Sequence, residues 1–146
     1  MVDTRTAAYG AFLLRVGLGV LALSHGLLKI FVFTVPGTVG YFESIGYPGF
    51  FAYLVIAGET AGGLALITGI SARAAAVAMI PILVGATLQH AGNGWLFTSA
   101  NGGWEFPAFW TVALVAQALI GPGAFAVKVP SLPFLGRLSE AKARSA

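Results

Sequence analysis

Four apolar stretches of membrane-spanning length occupy most of this chain, at about residues 8–33, 50–68, 72–89 and 104–120. A helix of roughly 20 residues crosses a hydrocarbon core about 30 Å thick. In hydrocarbon every backbone N–H and C=O must find a partner inside the protein, so only helices and closed barrels span it. The runs here are continuous rather than alternating, which selects helices. Composition agrees: the 146 residues are 58% hydrophobic and 9% charged, against roughly 25% charged in a soluble domain. Mean hydropathy is +0.87. The expectation is an all-α, membrane-embedded antiparallel four-helix bundle. One domain covers residues 1–127, and a basic tail follows at 128–146. No room remains for a soluble catalytic domain, so any active surface must come from the helices and their loops.

The breaks between stretches are chemically marked. Pro36 and Gly37 end the first. Residues 34–49 mix Tyr41, Phe42, Ile45 and Tyr47 with Glu43, Ser44 and several glycines. That mixture predicts an interfacial loop with one short amphipathic turn. The tight link Gly69-Ile70-Ser71-Ala72-Arg73 makes the second and third helices antiparallel neighbours. Pro81 falls inside the third helix and should kink it. Pro107 suits the first turn of the fourth, and Gly121-Pro122-Gly123 stops it. The first stretch exceeds a signal-peptide core and contains Arg15, His25 and Lys29, so it reads as a retained helix with no cleaved targeting segment.

Charge sets the expected orientation. Arg5, Arg73, Lys128, Arg137, Lys142 and Arg144 fall on the side of the two termini. The opposite side has only Lys29 near it, with Glu43 and Glu105. The positive-inside rule then makes both termini cytoplasmic in a multi-pass protein of the cytoplasmic membrane. Tyr41, Tyr47, Trp95, Trp104 and Trp110 would form an aromatic belt at the outer interface. The formal charge of +3 is small, and the basic tail suits an anionic lipid surface better than nucleic acid. The chain has no cysteine, which excludes a dithiol relay, thiolate-held clusters and disulfides.

Against this apolar background the ionisable residues stand out, because a charge at the bilayer centre costs at least about 2.5–3.5 kcal/mol. His25 lies eight residues before Phe33, a depth of about 12 Å at the helical rise. Glu59 lies nine residues after Phe50, a depth of about 13 Å on a helix running the other way. Lys29 is one turn above His25 on nearly the same face. His90 and Glu105 stand at the outer ends of the third and fourth helices, beside Trp104. Arg15 shares a stripe with His25 and Lys29 but falls toward the cytoplasmic end. It reads as a residue snorkelling to lipid phosphates. Gly58 and Gly62 are spaced as GxxxG around Glu59, a pattern that permits close helix packing.

Two chemistries fit the set. In the first, Lys29, His25 and a protonatable Glu59 serve the carbonyls of a quinone as hydrogen-bond and proton donors. In the second, His25, His90, Glu59 and Glu105 bind a metal. No single helix carries HxxxH or ExxH spacing, and Lys29 would repel a cation, so the metal ranks lower. A structural alternative runs beside both, in which Glu59 pairs with Lys29 or His25 only to lock two helices together.

The string from Leu14-Arg15 to His25-Gly26-Leu27-Leu28-Lys29 resembles the first helix of the DoxX family of small four-helix membrane proteins. The segment Gly40-Tyr41-Phe42 to Gly46-Tyr47-Pro48 follows in that family's order. So do Glu59 with Gly62-Gly63, the turn Gly69 to Arg73, and Gly102-Gly103-Trp104-Glu105 before Gly121-Pro122-Gly123. The resemblance extends over residues 10–125. It implies a quinone-linked redox subunit of the kind associated with a thiosulfate:quinone oxidoreductase. Relatives in the wider superfamily act in cargo export or receptor assembly, which implies a non-enzymatic scaffold or assembly factor as the alternative. A small-solute carrier drawing its substrate with Lys29 and Arg15 is a third reading. The expected site has His25, Lys29 and Glu59 at its chemical centre, with His90, Trp104 and Glu105 at its mouth, holding the quinone. The expected partners are the lipid bilayer, a soluble or membrane redox protein, and further copies of the chain.

Overall fold

The computed structural model describes residue 3 and residues 5–128, and these are helical with no strand among them. Helix α1 spans Ala7–Leu27 and continues without a break into a π-helical turn at Leu28–Val32. Helix α2 is short, Val35–Ser44. Helices α3, Phe50–Thr68, and α4, Ala72–His90, follow. A 3-10 turn at Ala91–Asn93 and a loop lead to α5, Glu105–Ile120. Three helical stretches are long and apolar enough to cross a membrane: Ala7–Val32, Phe50–Thr68 and Ala72–Asn93. Helix α5, at 16 residues, is about 24 Å long and is shorter than that criterion. The basic tail expected at 128–146 lies, beyond Lys128, outside the described residues.

Contacts between numbered positions fix the topology. Arg15 meets Leu66 and Ile67, Gly19 meets Gly63, and Gly26 meets Thr60, so α1 and α3 run antiparallel. Gly58 faces Ile82 and Gly62 faces Met79, so α3 and α4 are antiparallel too. Arg73 lies against Gly121, while His90 bonds the loop just before α5. Helix α5 therefore returns alongside α4. The shared core holds Leu18, Leu66, Met79, Leu83, Trp110 and Leu114. Long apolar side chains elsewhere stay exposed, including Leu13, Phe31, Leu88, Phe109 and Leu119. Helices with one packed stripe and an otherwise apolar surface suit lipid as the surrounding solvent.

The closest backbone approach is not at the GxxxG pair. A methyl on Gly58 or Gly62 would meet only side-chain atoms of Ile82 or Met79. A methyl on Gly63 would fall 2.6 Å from Leu23 N and 2.9 Å from Gly19 O, both backbone of α1. Backbone cannot swing aside as a side chain can. Gly63→Leu should therefore push α1 off α3 and cost about 1–3 kcal/mol, while Gly58→Ala is absorbed by a shift of Ile82. Thermal unfolding of the two variants in detergent checks the contrast.

The loop expected over 34–49 is corrected to a helix over most of its length. Thr34 turns the chain with φ 62°, and its Oγ1 accepts from Gly37 N at 3.2 Å, which is an N-cap. Pro36 then sits in the first turn, where its missing N–H is harmless. Thr38, 4% exposed, shares its one hydroxyl proton between the carbonyls of Thr34 at 2.9 Å and Lys29 at 3.2 Å. That second bond pins α2 over the π turn. Pro81 lies inside α4, as the sequence places it, and the helical span runs through it.

Arg15 is also corrected. It does not snorkel: its side chain is fully buried. Its Nη1 donates to Leu66 O at 2.6 Å and Ile67 O at 2.8 Å, and its Nε to Pro122 O at 2.8 Å. Nη2 reaches Ala124 O at 3.1 Å. Leu66 and Ile67 lie in the last turn of α3, where carbonyls have no helical partner and the macrodipole is negative. The guanidinium satisfies that end and the segment after α5 together. Gly69, at φ +84°, lets the chain leave α3 beside it, since a methyl there would meet Arg15 Nη1 at 2.8 Å.

Candidate functional site

At the opposite end from Arg15, the π turn, α2, α3, α4 and α5 enclose a cavity of about 530 Å³. Its size falls within the range of about 300–1,000 Å³ usual for small-molecule sites. The walls are mainly apolar and aromatic, with Tyr41, Phe42, Tyr47, Phe51, Phe106 and Trp110 among them. Tyr41 and Tyr47 keep large exposed areas, so the α2 flank is open to the surroundings.

Into this apolar space the chain brings Lys29, Glu59, His25 and His90. The π turn widens the backbone at Lys29. From there Lys29 Nζ contacts both carboxylate oxygens of Glu59, at 2.9 Å to Oε1 and 2.8 Å to Oε2. Glu59 is 5% exposed. An ion pair so deep in apolar surroundings holds because each charge answers the other. Two of the three ammonium protons are thus engaged, and the third has no side-chain or backbone acceptor among the described residues.

His25 stands one turn below Lys29. Its Nδ1 lies 2.8 Å from Leu21 O. A carbonyl only accepts, so this contact assigns the proton to Nδ1. The ring packs edge-on to Trp110 at 5.0 Å and stacks on Phe106 at 6.2 Å between centroids. Trp110 was placed by the sequence only in an interfacial belt. In the structure it is 3% exposed and forms part of the cavity wall, and its indole N–H lacks an acceptor among the described residues. Buried polar groups without partners are uncommon, and this one sits in the wall of a cavity.

His90, Trp104 and Glu105 are placed differently from one another. His90 borders the cavity, and its Nδ1 lies 3.1 Å from both Asn101 O and Gly102 O. Asn93 donates to the same two carbonyls. Glu105 Oε1 accepts from Phe97 N at 2.9 Å, and Trp104 packs edge-on against Trp95 at 4.5 Å. Glu105 and Trp104 therefore organise the loop between α4 and α5, and neither borders the cavity, where Phe106 and Pro107 stand instead. Among the described residues no three His, Asp or Glu side chains gather closely enough to share an ion.

The apolar helices, three of them long enough to cross a bilayer, define a multi-pass helical membrane protein. Its lineage is equally plain: residues 10–92 match the DoxX family, and the chain belongs to that family. The matched region contains Arg15, His25, Lys29, Glu59 and His90, whereas the loop of Trp104 and Glu105 and all of α5 lie beyond it. A stretch of 79 residues is 38% identical to the "Putative oxidoreductase CatD" of Bacillus subtilis (strain 168), covering 54% of this chain and 58% of that protein. The chain thus spans little more than half the length of that relative. No solved structure matches the chain.

Proposed function

We propose that this protein is a quinone-linked redox subunit of the cytoplasmic membrane, with α5 as a fourth span closing an antiparallel bundle and both termini cytoplasmic. The observation that carries this reading is the Lys29–Glu59 pair set in an aromatic-walled cavity beside an imidazole nitrogen with no partner among the described residues. A quinone needs flat apolar walls for its ring and tail and a few fixed polar groups for its oxygens. The residues present fit that need. Phe106, Trp110 and the α2 aromatics would hold the ring, Lys29 would donate its spare N–H to an oxygen, and Glu59 holds the ammonium in place. When bound, the quinone supplies the electron and proton capacity that a chain without cysteine lacks. Electrons would reach it from a partner protein. The name of the Bacillus subtilis relative agrees with an oxidoreductase role.

A second reading has support of its own. Arg15, Lys29 and Glu59 all tie α1 to α3, as a scaffold or assembly factor would also require. The two part company on ligand binding. Gently purified protein, extracted and analysed by mass spectrometry, should yield isoprenoid quinone in near-stoichiometric amount, and Lys29→Met should lower the yield at least about tenfold. A folded wild type that retains no quinone and takes up none on titration would favour the scaffold.

A further inference from the structure

The protonation pattern of the cavity distinguishes the two redox forms of the proposed ligand. His25 Nδ1 must carry a proton, because its partner at 2.8 Å is the Leu21 carbonyl. His90 Nδ1 faces two carbonyls at 3.1 Å. The amide of Asn93 is 3.3 Å from the same nitrogen but already donates to both carbonyls. A lone pair on Nδ1 would point at two oxygen lone pairs, so His90 carries its proton there as well. An imidazole protonated at Nδ1 alone has its lone pair on Nε2. Neither Nε2 has a hydrogen-bond partner among the described residues, and both rings border the one cavity. Lys29, one turn from His25, has a single N–H left to give.

A carbonyl oxygen can accept from Lys29 but offers nothing to His25 Nε2. It would set lone pair against lone pair. A phenolic hydroxyl can do both, accepting from the ammonium and donating to the imidazole. We infer that the cavity preferentially binds the hydroquinone form, a hydroxyl-bearing aromatic ring, with His25 Nε2 as its hydrogen-bond acceptor. The inference rests on the quinone-class reading above and specifies which redox form the site selects.

Calorimetric titration of the full-length protein in detergent, under anaerobic conditions, tests it with three probes: decyl-1,4-benzohydroquinone, its dimethyl ether and the corresponding quinone. The hydroquinone should bind about tenfold more tightly than either of the others. His25→Phe keeps a ring against Trp110 and Phe106 but removes the acceptor. It should weaken hydroquinone binding about tenfold and leave the dimethyl ether unchanged. Equal or tighter binding of the quinone or the ether to wild type overturns the inference while leaving a quinone-class site intact. Should the variant fail to fold, the wild-type series alone decides. Binding of none of the three overturns this inference and the proposed function together.

Discussion

Arg15→Met should unfold far more readily than the wild-type chain. The substitution preserves length and removes every donor. Four carbonyls, at Leu66, Ile67, Pro122 and Ala124, then lose their partner. Each buried acceptor left unsatisfied costs about 1–3 kcal/mol, so a total loss of at least about 3 kcal/mol is expected even if some carbonyls find water. The loss should be local in origin. Ala124 N also bonds Ala8 O, and Val127 N bonds Thr68 O, so the segment after α5 keeps two backbone ties to α1 and α3, and loss of Arg15 should lower its protection without abolishing it. Arg15→Lys restores a charge but not the guanidinium fork, and should recover only part of the loss. Thermal unfolding in detergent, with amide exchange followed at residues 121–127, checks both variants. Unchanged protection of that segment in Arg15→Met would show that the guanidinium does not hold it.

The second large effect concerns Lys29 and Glu59. Removing one partner of a buried pair leaves a charge with no answer, at a cost of about 3–5 kcal/mol. Lys29→Met and Glu59→Leu should each lose stability of that order. Combining them removes both charges and should restore at least about half of it, because an apolar pair of similar volume often replaces an ion pair without penalty. Ligand binding should behave otherwise. It should be lost in both single variants and remain lost in the double. Stability and binding measured on the same four proteins therefore separate a lock between α1 and α3 from a site. A double variant that binds quinone as wild type does would reduce the pair to a lock.

The long helices were legible in the sequence because their cause is composition over a length, and nothing local contradicts it. The shared level of His25 and Glu59 was legible as well, since helical rise converts sequence position to depth and Gly26 faces Thr60. What escaped reading depends on backbone atoms, which every residue type shares. Arg15 looked like a lipid-facing charge because no acidic residue answers it, and its four acceptors are carbonyls at residues 66, 67, 122 and 124. Glu105 and His90 show the same limit, for both are held by main-chain atoms of the loop between α4 and α5. Helix α2 was obscured by Gly37 and Gly40, which weaken helix propensity. The Thr34 cap and the Thr38 bond to Lys29 O outweigh them. The π turn at Leu28–Val32 has no sequence signature, yet it sets the position of Lys29. Gly19 and Gly63 lie on different helices, so their contact could not be read from spacing along either one.

The central claim is that a quinone-class ring occupies the cavity beside Lys29 and Glu59. Photoaffinity labelling with a quinone bearing an azide on its ring, followed by mass-spectrometric mapping of the modified residues, addresses it most directly. Labels should concentrate on cavity residues such as His25, Tyr41 and Phe106, and excess unlabelled decyl-benzohydroquinone should suppress them. Labels spread over lipid-facing residues such as Leu13, Phe109 and Leu119, with no suppression by the competitor, would contradict the account.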